Sequence, residues 1–371
     1  MSEKVSVLFV LPVGSTADAA VQETLRGISS QTYPSALIEV IQVQYVPAEP
    51  GAHTSALNAA REEASGAFVV HAEPGVVWDG NKLEQQVRRL KASPSAGACV
   101  HRMTARNSDG KTRALDLGGI RAYGPRIGCL LRSPWGPGAA MLQQKVMARV
   151  GVYRNTDEVL WEYAIRLVEK GYVLDFLDED LAVWNTDAPV EEQRPLVPTR
   201  IRYGFLKSHL DRTPPEALFS SKCSTGRLIL AGLYQKNDDL EASHTLCQEA
   251  DGQADGASYW HGIVHRREPD FSNARGWFKK AEGLSALPEI FRGVVPFLQR
   301  VLQVPNYGAQ DMALRFLHHL QSHGTWDPFY FVDLCEACLS GGTAQERQLL
   351  EKTQEIEFDR MFDWTCRMAT A

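Results

Sequence analysis

The chain has 371 residues, 44% of them hydrophobic and 23% charged, with a formal net charge of −6. That length suggests about two domains at the usual ~100–200 residues each, and the composition is that of a globular protein able to bury a core. The acidic balance argues against a generic nucleic-acid binder, and no apolar run approaches the ~18 residues of a membrane helix.

The early run from Val5 to Val13 ends in Pro-Val-Gly without a cleavage site. It reads as a buried first strand and not as a signal peptide. Further strands are expected at 38–43, 68–71 and 98–103, and helices at 17–30, 55–64 and 81–92. This alternation predicts an α/β domain with a mostly parallel sheet. Gly, Pro and Arg break the rhythm from Gly118 to Gly138; helices at 143–150 and 158–170 and late strands at 173–177 and 181–184 follow. The stretch from Asp187 to Pro215 holds five Pro and many charges and reads as a boundary or crossover, with the α/β domain over 1–190 and a linker over 191–215. From 216 to 371 the period becomes helical: segments at 228–234, 239–250, 259–266, 272–281, 288–301, 309–321, 329–338 and 344–365 predict an all-α domain of stacked antiparallel pairs. The seven Cys, an odd number scattered through both halves, suit a reducing cytoplasm better than a disulfide framework.

Three stretches carry a resemblance. Val5 to Val13 ends in Pro-Val; Glu23 to Pro34 ends in Gln-Thr-Tyr-Pro; Gly51 to Glu84 runs from a helix with Asn58-Ala59, through Ser65-Gly66 and the strand at 68–71, to His71-Ala72-Glu73-Pro74-Gly75. Together they resemble the nucleotide-binding domain of family-2 glycosyltransferases, which have the GT-A fold. In open α/β sheets ligands bind beyond the carboxyl ends of the strands, which is where His71 and Glu73 fall.

The resemblance implies a divalent cation, Mn or Mg, holding a nucleotide-sugar donor. The family's Asp-x-Asp position here reads His71-Ala72-Glu73, so Glu73 stands as the metal ligand with His71 as a nitrogen ligand beside it. The acid expected after the second strand is replaced by Gln42 and Gln44, which would meet a base edge. Asn58 stands in the helix of the donor-binding pattern. Arg126 and Arg132 lie in the loop that would meet phosphates, since guanidinium pairs well with phosphate oxygens. The general base falls to Glu158 or Asp157, with Glu162 as the fallback, because the family's usual Asp position is occupied by Leu160. Ala139 to Leu142 resembles the segment lining the acceptor side, and Val150-Gly151-Val152-Tyr153 resembles the usual Val-Gly-Phe.

A second constellation lies in the helical half. His261 and His265 are four residues apart and Glu268 three further, which places all three on one helix face. Such a set suits Zn or Fe, and His244 on the preceding helix would face them; buried histidines bridging helices are the alternative. Cys335-x-x-Cys338 and Trp260, Trp277 and Trp326 read as packing residues. The stretch from Trp260 to Asp270 is similar to a signature of bacterial proteins and names no activity.

The expected function is transfer of a sugar from a nucleotide sugar to a hydroxyl acceptor, in the cytoplasm, with a protein partner possible through the helical domain. Two alternatives stand beside it. One is a GT-A-like binding or scaffold protein without turnover. The other is a metal-dependent hydrolase built on His261, His265 and Glu268.

Overall fold

Val5–Pro12 forms β1 and is buried along its length except at the last residue. A strand covered on both faces needs a nearly continuous apolar run, and VSVLFVLP supplies one. In chain order there follow α1 (Ala19–Ser29), β2 (Ile38–Tyr45), α2 (Ala52–Glu63), β3 (Phe68–Ala72), β4 (Val76–Trp78), α3 (Lys82–Ala92), β5 (Ala96–Arg106), β6 (Thr112–Ala114), α4 (Gly118–Leu131), β7 (Ala140–Gln143), α5 (Gln144–Val150), α6 (Val159–Glu169) and β8 (Val173–Asn185). The computed structural model describes residues 3–115, 118–187, 194–218 and 223–370.

The strand order is β2-β1-β3-β7-β5-β8-β4, with β6 paired to β5. β1 runs parallel to β2 and β3, and β5 parallel to β8; β7 is antiparallel to both β3 and β5. The α/β class is as expected. The sheet is mixed where a mostly parallel one was expected, because β7 enters between β3 and β5 from the opposite direction. β7, β4 and β6 are only three or four residues long, too short to show a period. The two late strands expected at 173–177 and 181–184 are one bent strand, β8, whose pairing with β5 shifts register. The segment from 118 to 138 contains α4, broken at Gly124 just before Pro125. A Pro disfavours helical backbone in the residue before it, and this interruption hid the helix.

Gly66 sets how closely β3 lies on β1. A Cβ there would stand 2.6 Å from the Ser6 backbone nitrogen and 2.8 Å from Lys4 O. The Gly66 N–H donates to Ser6 Oγ at 2.8 Å, and Ser6 Oγ donates to Glu39 on β2 at 2.6 Å. Three adjacent strands are thus tied at the amino end of the sheet.

The chain divides into two compact units, Met1–Val190 and Glu191–Ala371. Of the expected linker, residues 191–193 lie outside the described residues, and the remainder contains α7 (Gly204–Leu210) and the start of α8 (Pro215–Leu218). The second unit continues with α9 (Cys223–Lys236), α10 (Leu240–Ala250), α11 (Ala257–Arg267), α12 (Phe271–Lys280), α13 (Leu287–Leu302), α14 (Gln310–His323), α15 (Pro328–Gly341) and α16 (Ala344–Thr370). Asp239, Asp270 and Asp327 cap α10, α12 and α15 through their side chains. Trp260 and Trp326 are fully buried, Trp260 donating to Thr365 and Trp326 to the Tyr259 hydroxyl. Cys335 and Cys338 are core residues. Among the described residues no helix is long and apolar enough to cross a membrane.

Gly66→Ala is expected to lower stability by about 1–3 kcal/mol, the usual cost of forcing atoms into a packed contact. Gly276→Ala, on α12 with open space at its Cβ, should raise it by about 0.5–1 kcal/mol. Urea unfolding of the two variants checks both signs.

Candidate functional site

The carboxyl end of β3 turns out of the sheet at His71, Ala72 and Glu73. His71 is buried, and its Nε2 lies 2.8 Å from the Tyr153 hydroxyl. Tyr153 is held in turn by α2: Asn58 Nδ2 donates to Tyr153 O at 3.0 Å, and the Tyr153 N–H donates to Asn58 Oδ1 at 2.9 Å. The segment between α5 and α6 is therefore clasped to the end of β3. Tyr153 is the aromatic of the Val-Gly-Phe likeness, and its extra hydroxyl is what reaches His71.

Glu73 is half-buried at the turn into β4. The Gly138 N–H donates to its carboxylate, and Glu158 acts on it electrostatically. Gly138 has φ +66, a conformation open to glycine at no steric cost, and so can turn its N–H toward the strand end. Desolvation is the main reason the Glu73 carboxyl is pushed up to about 7; the charge of Glu158 adds to it, and the Gly138 N–H opposes it. His71 moves the other way: burial, then the charges of His53 and Lys82, take it down to about 4, so its ring is neutral at pH 7.

Beneath the strand ends lies a polar cluster that the sequence did not single out. Lys82 is fully buried, its Nζ 2.9 Å from Gln86 Oε1 and 4.0 Å from the centre of the Trp78 ring. Burial takes the Lys82 ammonium down to about 7. Gln86 donates to Cys99 O and Ala139 O, bracing α3 on β5 and on the residue before β7. His101 is fully buried, its Nε2 has no partner among the described residues, and burial takes it to about 3. A signal was present: α3 places Lys82 and Gln86 on the same face as Leu83, Val87 and Leu90, a polar pair within an apolar stripe.

The other residues singled out from sequence are placed as follows. Glu162 is buried, bonded through both oxygens to Arg166 Nε at 2.9 Å and paired with Arg154 at 3.2 Å. Arg166 also donates to Val150 O and Val152 O. Glu162 thus fastens α6 to the preceding segment, and the structure does not bring it to Glu73. Asp157 and Glu158 are exposed at the start of α6; of the two, Glu158 is the one whose charge acts on Glu73. Gln42 and Gln44 are exposed on one face of the edge strand β2. Arg126 is half-buried on α4, and Arg132 follows the end of α4. Asn58 is bonded to protein backbone, as described.

A divalent hard cation takes oxygen ligands. The Glu73 carboxylate, within electrostatic reach of Glu158, suits one. His71, expected as a ligand, does not, because its Nε2 faces Tyr153 inside the protein.

In the helical unit, His244 on α10 joins His261 and His265 on α11, with one ring nitrogen from each within 4.8 Å of the others. Glu268, expected as a third ligand, instead bonds His265 Nδ1 through Oε2 at 3.1 Å. Neither nitrogen of the buried His261 has a hydrogen-bond partner among the described residues. Leaving such a group unpaired costs about 1–3 kcal/mol.

No protein-family model matches the chain, and no curated protein matches it in sequence. Solved structures with a similar shape include S. aureus TarS, at 10% identity and TM-score 0.48 over 74% of this chain. Residues 1–349 of TarS in complex with UDP-GlcNAc match at 11% identity and TM-score 0.48, over 74% of this chain and 90% of that one. The mannosyltransferase PcManGT from Pyrobaculum calidifontis, in complex with GDP-Man and Mn2+, matches at 14% identity and TM-score 0.40 over 85% of each chain. The chain spans about half, 54%, of the length of TarS. Likenesses this remote carry no argument about activity.

Glu73 yields a stability prediction. Its folded value, about 7, lies above the ordinary 4.5, so the folded state holds the extra proton between them. The stabilisation is complete below about 4.5 and is lost as pH rises through about 7. Glu73→Gln should therefore gain stability over wild type at pH 8 relative to pH 5, by on the order of 2 kcal/mol. His71 contributes the opposite slope, lost as pH falls from 6.5 through about 4, but it is common to both proteins and cancels. Urea unfolding at the two pH values measures the difference; equal differences at both would mean that Glu73 is solvated.

Proposed function

We propose that the first unit is a glycosyltransferase domain that takes its sugar from a nucleotide-sugar donor and passes it to a hydroxyl acceptor. The observation that carries this reading is the half-buried Glu73 at the carboxyl end of β3, held by the Gly138 N–H and within electrostatic reach of Glu158, where open α/β sheets bind ligands. The sequence likeness of the same strand end to family-2 glycosyltransferases supports it.

In this reading Glu73, backed by the Gly138 N–H, holds a divalent cation, Mn or Mg. When bound, the cation would neutralise the donor's diphosphate. Its positive charge would also favour the ionised Glu73 that burial disfavours. Glu158 takes the proton from the acceptor hydroxyl; what supports it over Asp157 is its electrostatic contact with Glu73. Arg126, half-buried on α4, serves the phosphates. Gln42 and Gln44 meet the base from the edge strand. The helical unit would bind the acceptor or a protein partner. A cytoplasmic location is supported by six buried free cysteines among the described residues.

A second reading is favoured by one specific observation. Asn58 and Glu162 are both engaged inside the protein, which leaves fewer polar groups for turnover than the family pattern has. The domain would then hold a nucleotide sugar without transferring it.

Thermal shift against UDP, GDP, CMP and dTDP and their sugars, with and without Mn2+, distinguishes these readings. One nucleotide is expected to stabilise the chain only when Mn2+ is present, by ligand linkage. Glu73→Ala should lose that response. Glu158→Gln should keep nucleotide binding while turnover drops by about 10²–10⁴-fold. Binding without any product formation would favour the second reading, and a flat response across the panel would overturn both.

A further inference from the structure

The helical unit contains a donor cluster that sugar transfer does not use. His261 and His265 are one helical turn apart on α11, and α10 packs along that helix and brings His244 to the same place. The three rings are in mutual contact: His244 meets His261 and His265 edge-on at 4.4 and 5.1 Å, and His261 lies parallel to His265 at 4.9 Å. His261 is 2% exposed, with both ring nitrogens unpartnered among the described residues. Its outer face is closed by Trp277, stacked at 3.8 Å. His244 is only half-buried and leaves the cluster one side toward solvent.

The surroundings fit a cation better than the sequence suggests. Arg266 and Arg267 adjoin His265 but turn away from it, Arg266 to the buried Glu357 and Arg267 to the buried Asp238. Lys280 lies over the Trp277 ring at 3.7 Å and is paired with Asp251 at 3.7 Å. Glu268 sits behind His265 Nδ1, the carboxylate–histidine arrangement that orients a metal-binding ring and raises its basicity. Asn273 Nδ2 approaches His265 Nε2 at 3.2 Å and would yield that position to a metal.

We propose that His244, His261 and His265 bind one divalent transition-metal ion of the Zn2+ class, with a fourth position open on the His244 side. Three neutral imidazoles and an open position suit Zn2+. The absence of an oxygen ligand separates this site from the hard-cation site at Glu73. Zn–N bonds of about 2.0–2.1 Å place tetrahedral ligands about 3.4 Å apart, so the 4.8 Å cluster closes by side-chain rotation. The alternative is neutral ring packing between α10, α11 and α12, which needs no metal.

The test is metal analysis of the full chain, stripped with a chelator, reloaded with Zn2+ or Co2+ and desalted. The expected result is one Zn2+ per chain and visible Co2+ absorption bands of a nitrogen-ligated tetrahedral site. His244→Ala, a change at a half-exposed position, should lose both while keeping the wild-type circular dichroism, and His261→Ala should lose them too. Glu268→Gln should weaken Zn2+ by about 10–100-fold. Glu73→Ala should leave the stoichiometry unchanged, so failure here is separable from failure at the strand end. Wild-type chain that retains no stoichiometric Zn2+, or a folded His244→Ala that binds as wild type does, would overturn the proposal.

Discussion

The clasp between Asn58 and the backbone of Tyr153 is the constraint on which the strand-end site depends. Two antiparallel hydrogen bonds from one amide side chain fix a peptide unit in both position and orientation. The Tyr153 hydroxyl then reaches His71, and the chain beyond it leads to Glu158 at the start of α6. On the other side Arg166, held by Glu162, donates to Val150 O and Val152 O. The segment leading to Glu158 is therefore tied at Tyr153 to α2 and at Val150 and Val152 to α6. Asn58 and Glu162, which look functional in sequence, both make hydrogen bonds within the protein.

The strand end is also a place of electrostatic conflict. Glu73 is raised by desolvation and by Glu158, while His71 and Lys82 are lowered by burial. At neutral pH the region holds a Glu73 carboxyl near its point of deprotonation, a neutral imidazole and an ammonium near its own. Such perturbed groups gather at ligand sites more often than elsewhere, though buried structural networks produce them as well. Here the carboxylates lie at the surface side and the Lys82 cluster lies beneath the sheet. The first group suits a ligand, and the second suits bracing α3 on the strands through Gln86.

In the helical unit the buried Arg266 and Arg267 are paired, while the buried His261 has no hydrogen-bond partner among the described residues. Arg266 shares Glu357 with the Tyr259 hydroxyl, which also accepts from Trp326, so α11, α16 and Trp326, two residues ahead of α15, meet in one network. Removing one partner of such a pair typically costs about 3–5 kcal/mol because it strands the other charge. In the His244–His261–His265 cluster, by contrast, His265 meets Glu268 and Asn273 but neither nitrogen of His261 has a partner among the described residues. That contrast within one unit is what distinguishes it from ordinary core polarity.

Much of the fold was legible in the sequence. The apolar runs of β1 and β3 and the amphipathic period of α1, α3, α12 and α13 depend on neighbours within a few residues, so they mark themselves locally. The short strands β4 and β7, the broken α4 and the direction of β7 were not legible, because pairing across the sheet decides them. Of the candidate site, the position of Glu73 beyond β3 could be read from the chain. Its meeting with Glu158 and Gly138, which come from separate elements, could not. Glu268 and His265 share a helix face in sequence, yet the third nitrogen of the cluster comes from α10, across a helix–helix contact. The sequence by itself determined the two periodicities, hence an α/β unit followed by an α unit, and the residue types available for chemistry. Only the tertiary structure decided which of those residues converge and which hold the backbone, because hydrogen bonds and charges act through distance in space and not along the chain.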